Sequence, residues 1–287
     1  MQDFIIKIGF SEEDAAYLSK VCDTLTEDKE SRDKIKCALD DLFLCRERKY
    51  NEILKQLSEE KNIHIYTVNL AFLLLAARPL RYIYKAKGIS EDVYCNSVLD
   101  LSTKNDECKK VYGIVGTFVS DWMSLYYWLK IYGLGRLQYE PMASDVDFKD
   151  YVKKGDTVLN CHIPSTGPLT EELLTDSLKK AYDFFGYTGP MPVRCASWLI
   201  HPGIASCYKE GSNMKMFYDC FEIVFRKDYE TKGECWRIFG KKEFDDVCEA
   251  DLKTSLQKNY YKYIIEGGKA GHGIGFFMYE PDKGIYR

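Results

Sequence analysis

The chain has 287 residues, 46% hydrophobic, 14% aromatic and 29% charged. That composition excludes a disordered polymer, and at about 100 to 200 residues per domain it predicts two domains. Its 40 Lys and Arg against 44 Asp and Glu, a formal charge of −4 without a basic cluster, argue against nucleic acid as a partner.

The N-terminal half reads as helical. The start, Met1 to Asp14, has no basic run ahead of an apolar stretch and no small-residue cleavage site, so no secretory signal is expected. Ser11 followed by Glu12, Glu13 and Asp14 has the composition of a helix start, and Ala15, Leu18, Cys22 and Leu25 then recur at helical spacing. Ile35, Leu39, Leu42 and Phe43, then Tyr50, Ile53, Leu54 and Leu57, repeat the pattern through a charged background, predicting helices with one buried and one solvated face. Segments 63–77 and 108–131 are denser in apolar residues and are expected at the centre of a bundle, with Pro79 and Gly88 marking a connection between them. Leu70 to Ala77 is too short to span a membrane and Val111 to Leu129 carries Asp121, whereas a span needs about 20 mostly apolar residues. No membrane partner is expected.

The texture changes beyond Gly133 and Gly135, and after Pro141 short β-favouring runs alternate with turns and helices. The fold class expected is α+β: a helical domain over 1–135 and a mixed α/β domain over 136–287. In Thr157 to Ile163, Leu159, Cys161 and Ile163 share one face and Asn160 and His162 the other, the alternation of a half-buried strand. Thr170 then caps a helix carrying Leu174, Leu178, Ala181 and Phe185. Further strands are expected at Val193 to Ile200, Tyr218 to Lys227, Cys235 to Phe239 and Ile274 to Tyr279, and a helix at Leu252 to Ile265 closed by Gly267 and Gly268.

Eleven cysteines, Cys45 among them, include no CxxC pair and fall mostly in apolar periodic segments, which predicts buried free thiols in a reducing, cytoplasmic setting. A nucleophilic role for Cys161 or Cys195 would need a depressed thiol pKa on a strand, where free cysteine usually packs. Of four histidines, His64 enters a helix among apolar residues and reads as structural, whereas His162 and His201 end strands beside proline, where a rigid sheet hands side chains to a cleft. No ligand spacing joins His162 and His201 to Glu140 or Glu222, so no metal is expected. The glycines of Glu266 to Tyr279 follow a helix and lead into a strand, the reverse of the usual phosphate loop.

Gly135-Arg136-Leu137-Gln138-Tyr139-Glu140, His162-Ile163-Pro164, Ser177 to Phe185, Cys195 to Ile200 and Ser212-Asn213 together resemble the landmarks of bacterial acyltransferase-domain proteins. These pair a helical N-acyltransferase N-terminal domain with a GNAT-like C-terminal domain. The resemblance implies acyl-CoA or acetyl-CoA as co-substrate, a V-shaped cleft in a bent mixed sheet, and direct attack of an amine on the thioester. His162 is then the expected base, Ser197 a donor to the leaving thiolate or a substrate, and Glu140, Trp198 and Asn213 cleft-lining contacts. The [QR]-x-x-G-x-[GA] pyrophosphate loop of the wider GNAT group is absent between a strand and a helix; in the C-terminal glycine run, Gly268 and Ala270 fall where its Gln or Arg would stand. The alternative expectation is a ligand-binding or interaction protein that keeps the sheet without the chemistry. Partners expected are a small-molecule acyl donor and acceptor, and the 22 tyrosines would suit a homodimer interface.

Overall fold

The computed structural model describes residues 1–44 and 49–287; Cys45 lies outside them. The chain divides into two compact units, Met1–Gly133 and Leu134–Arg287.

The first unit contains α1 (Gln2–Lys7), α2 (Glu12–Thr24), α3 (Lys29–Phe43), α4 (Tyr50–Lys61), α5 (Ile65–Ala86), α6 (Glu91–Val98), α7 (Asp100–Tyr112) and α8 (Ser120–Tyr127). Ser11 caps α2 by accepting the Asp14 amide, and the His64 ring accepts the Tyr66 amide at the start of α5. Both satisfy amides that have no carbonyl partner in the first helical turn. The core lies around α5, whose Leu70, Phe72, Leu74 and Ala77 are buried against Leu18 of α2, Leu54 of α4 and Tyr127 of α8. No single helix among the described residues is long and apolar enough to cross a membrane.

Two expectations for this unit need correction. Pro79 does not end the helix but lies inside α5. An interior proline costs about 3 kcal/mol, and burial of Ala76, Ala77, Leu80 and Tyr84 on both sides of it offsets that cost. Segment 108–131 is not one element: α7 stops at Gly113, whose φ of 70° turns the chain out of the helix, a conformation glycine adopts without a Cβ penalty. The crossing that follows is tied to α5 by Thr117 N to Tyr66 O and Thr67 Oγ1 to Val115 O.

The second unit holds a mixed sheet. Its elements are β1 (Tyr132–Leu134), at the unit boundary, β2 (Leu137–Ala143), β3 (Thr157–His162), α9 (Glu171–Phe184), β4 (Met191–Ser197), α10 (Pro202–Ala205), α11 (Asn213–Asp219), β5 (Glu222–Asp228), α12 (Cys235–Ile238), α13 (Ser255–Ile265), β6 (Gly271–Glu280) and β7 (Gly284–Tyr286). Among the described residues the strand order is β1-β2-β3-β4-β6-β5, with β7 also on β6. β3 and β4 run parallel, whereas β2–β3, β4–β6, β5–β6 and β6–β7 are antiparallel.

Helix α9 is fixed to the sheet through one buried hydroxyl. Ser177 Oγ donates to Leu134 O, accepts from Leu137 N at 3.0 Å and lies 3.2 Å from the Tyr139 hydroxyl. Strand β2 contains Pro141, and because β1 is only three residues long the far half of β2 runs along an edge where a missing amide is tolerated. Cys235 to Phe239, expected as a strand, is helix α12 and the residue after it; Cys235, Ile238 and Phe239 pack with Tyr260 of α13. A five-residue apolar run suits either element, and here packing decided. The expected strand from Tyr218 begins at Glu222, because Ser212 caps α11 by accepting the Lys215 amide and the helix runs on through Asp219.

Candidate active site

The parallel pair β3–β4 is registered at only two positions, Leu159↔Val193 and Asn160↔Arg194. Beyond them each strand keeps its antiparallel neighbour: β2 stays with β3 as far as Gln138↔His162, and β6 stays with β4 as far as Ser197↔Gly273. The sheet therefore forks between β3 and β4. A parallel pair that parts this way leaves unpaired backbone groups and side chains at two strand ends facing one gap, and ligands of open α/β sheets bind outside such ends.

At the fork, register puts Glu140, Asn160 and Arg194 in one row on one face, and His162 stands one step further along β3 on that face. Their side chains form a continuous polar chain. Arg194 holds Asp145 through two oxygens at 3.0 and 3.1 Å and donates from Nη1 to Asn160 Oδ1 at 2.7 Å. Asn160 Nδ2 lies 3.1 Å from His162 Nε2, which lies 3.1 Å from Glu140 Oε2. The Arg194 side chain is 6% exposed and those of His162 and Glu140 18% and 22%, so the chain runs from the core to a partly open tip.

The loop from β3 to α9, residues 163–170, is tied to the sheet by Arg136. Arg136 donates to the carbonyls of Pro164 at 2.9 Å, Gly167 at 2.8 Å and Pro168 at 2.9 Å. Burial lowers the Arg136 pKa from the usual guanidinium value. With these three carbonyls turned to Arg136, the amides of Thr166 and Gly167 meet no acceptor among the described residues. At the end of the loop Thr170 caps α9 by accepting the Leu173 amide.

The expected site residues are thus only partly assembled. Glu140 and His162 meet. Ser197 ends the other prong of the fork on the face opposite His162, and its Oγ accepts the Leu199 amide at 3.2 Å, capping a 3-10 turn over Trp198–Ile200. Trp198 packs half-buried against the cluster around Ile204 and Tyr208, and Asn213 is the first residue of α11. His201 is not presented to a cleft by a strand end: it is fully buried, with Nε2 2.9 Å from Asp228 Oδ1. Cys161 and Cys195 are buried too, and their mutual contact and burial push the Cys161 thiol well above the ordinary range, the reverse of an activated nucleophile. Of the ten described cysteines, six are buried and Cys37 and Cys248 are exposed.

Sequence reasoning did not single out Arg194, Asp145 or the Arg136 clamp. The available signal was Arg194 itself, a charge in the otherwise apolar run Met191 to Cys195. The C-terminal glycines are not a phosphate loop: Gly267 follows α13, and Gly271, Gly273 and Gly275 lie within β6. Among the described residues no group of three or more His, Cys, Asp or Glu is arranged to hold a metal ion.

A family model described as a GNAT-like C-terminal domain matches residues 131–277, and one described as an N-acyltransferase N-terminal domain matches residues 1–129. No curated protein matches the chain. Three solved structures share its fold, each covering 96% of this chain and 86% of the other. They are an acyltransferase in complex with decanoyl-CoA and teicoplanin, at TM-score 0.72 and 17% identity, an acyltransferase in complex with CoA and 10C-teicoplanin, at 0.71 and 17%, and an acyltransferase in complex with decanoyl-CoA, at 0.68 and 20%.

Proposed function

This chain belongs to the family defined by an N-acyltransferase N-terminal domain and a GNAT-like C-terminal domain, and from that membership we propose that it transfers an acyl group from acyl-CoA to an amine. The observation that carries the reading is the fork between β3 and β4 with the His162–Glu140 pair at its edge. A thioester threaded between diverging strands is reached from both faces, by His162 from one and by Ser197 from the other.

In this reading the amine nitrogen attacks the thioester carbonyl, the C–N bond forms and the C–S bond breaks. His162 takes the proton that the amine must lose, and Glu140 stabilises the imidazolium so formed; positioned general bases contribute about 10²- to 10⁴-fold. The Ser197 oxygen accepts the Leu199 amide, and its O–H can still donate a hydrogen bond to the departing thiolate, which leaves as the anion and takes its proton from solvent. Trp198 and Asn213 would line the approach. The loop over 163–170, clamped by Arg136, would offer the Thr166 and Gly167 amides to the CoA diphosphate, a backbone solution to anion binding. No metal is required for these steps.

One observation favours the rival reading of a sheet that binds a ligand without acyl transfer. The first turn of α9 carries Glu171 and Glu172, and acidic side chains at a helix start oppose a phosphate there. The two readings separate by mass spectrometry. The chain is incubated with acetyl-, octanoyl- or decanoyl-CoA and a panel of primary amines. Acylated amine with stoichiometric free CoA, lost in His162→Ala, is the expected result; bound but unconsumed acyl-CoA would establish the rival.

A further inference from the structure

We propose that Arg194 is a positioning residue that selects the tautomer of His162 through the Asn160 amide, holding the proton on Nδ1 and the lone pair on Nε2. The proposal deepens the reading of His162 as base and rests on it for its catalytic meaning. The proton location itself is independent of that reading.

The argument follows from which atoms can donate. A guanidinium has only donors, so the Asn160 atom that Arg194 Nη1 meets at 2.7 Å is the carbonyl oxygen. That leaves the amide nitrogen facing His162 Nε2 at 3.1 Å, and an amide nitrogen can only donate. Nε2 must then accept. An imidazole with its proton on Nε2, the tautomer favoured in water, would set N–H against N–H at this distance.

Arg194 cannot readily turn aside. Its other nitrogens are engaged by Asp145 at 3.0 to 3.2 Å, and its side chain is 6% exposed. Asn160 is 4% exposed, so its amide orientation is decided by these two neighbours rather than by water. Such fixing of an imidazole by a second residue is the usual way in which a particular ring nitrogen is chosen for proton transfer.

Glu140 makes the opposite demand. Its Oε2 lies 3.1 Å from the same Nε2, where a carboxylate is satisfied only when Nε2 carries a proton. The two neighbours therefore divide the reaction: Asn160 favours the unprotonated nitrogen before transfer, and Glu140 favours the protonated one after it. The proton taken from the amine arrives between Nε2 and Oε2, and its release to solvent, from which the departing thiolate is protonated, restores the Asn160 hydrogen bond. Arg194 sets this sequence without touching substrate.

The experiment is ¹⁵N NMR of the histidine rings in the intact protein, with His162 identified by its loss in His162→Gln. At a pH where His162 is neutral, Nε2 at the shift of an unprotonated nitrogen and Nδ1 at that of a protonated one are expected. The reverse pattern overturns the proposal whether or not the protein transfers acyl groups. Asn160→Asp, equal in volume and still able to pair with Arg194, should move the proton to Nε2 and lower the transfer rate at least tenfold; a spectrum unchanged from the parent would equally overturn it. Arg194→Lys, which keeps a donor-only partner for Asn160, should retain the parent tautomer. Absence of transfer activity with the expected spectrum would sink the transferase reading and leave the tautomer assignment standing.

Discussion

Nε2 of His162 lies 3.1 Å from Oε2 of Glu140, two residues that are 22 positions apart in the chain and reach each other across the antiparallel pair β2–β3. Strand pairing sets the spacing of their backbones, which places the two side chains diagonally opposite each other on one face. His162→Ala should lower the rate of CoA release in the presence of an amine by about 10²- to 10⁴-fold while leaving acyl-CoA affinity within threefold. Glu140→Gln should lower the rate less, since the base remains. Equal rates for parent and His162→Ala would remove His162 from the chemistry.

The Arg136 clamp yields a separate prediction about binding. One guanidinium joins three loop carbonyls, a geometry that a lysine ammonium cannot reproduce because it lacks the planar fork. Arg136→Lys should therefore loosen the 163–170 loop and weaken acyl-CoA binding at least tenfold by calorimetry, with little change in the rate at saturating donor. Unaltered affinity would show that the loop does not hold the donor.

Gly273 is required by close approach. A Cβ there would lie 2.5 Å from Ile200 O, a backbone atom that cannot move without dragging the turn after β4. Gly273→Ala should destabilise the second unit by about 1–3 kcal/mol, the usual range for overpacking, as read from the urea midpoint at constant slope. A shift below a few tenths of a kcal/mol would show that the turn yields freely.

The β5–β6 pair also makes stability depend on pH. Burial, followed by the nearby Lys227, lowers the His272 pKa from the ordinary imidazole value of 6.5. The unfolded chain then binds the proton more readily than the folded one, so stability rises with pH through this window and falls as pH drops below 6.5 toward the folded value. Asp228, held below the usual carboxylate range by Arg226 and then His201, adds a further loss below the ordinary carboxyl value of 3.8. His272→Asn should flatten the first of these slopes in denaturant titrations between pH 7 and 5 and leave the acid limb in place. An unchanged slope in that interval would refute the assignment to His272.

Much of this architecture was legible locally. Ser11 and Thr170 announce helix starts because a hydroxyl that accepts an amide three residues on is a short-range event. The alternation of Asn160 and His162 against Leu159 and Cys161 revealed β3 for the same reason. What was not legible depends on long-range pairing. That Arg194 lies beside Asn160 on one side, and Glu140 beside it on the other, follows from strand order and register rather than from any spacing in the chain. Arg136 is 28 residues from Pro164, and nothing in its own neighbourhood marks the carbonyls it serves. Cys235 to Phe239 shows the limit from the other side: its apolar composition was plain, but whether it formed helix or strand was decided by Tyr260 and Phe244 around it.

The most direct test of the central claim is thermal unfolding of the intact protein with acetyl-, octanoyl- or decanoyl-CoA, each against free CoA and buffer. A donor at 100 times its dissociation constant stabilises by about 2.7 kcal/mol, and at about 2–4 °C per kcal/mol the transition of the second unit should rise by roughly 5 to 10 °C, less in Arg136→Lys. No rise with any of these ligands up to millimolar concentration would contradict an acyl-CoA transferase and leave the forked sheet a family architecture put to another use.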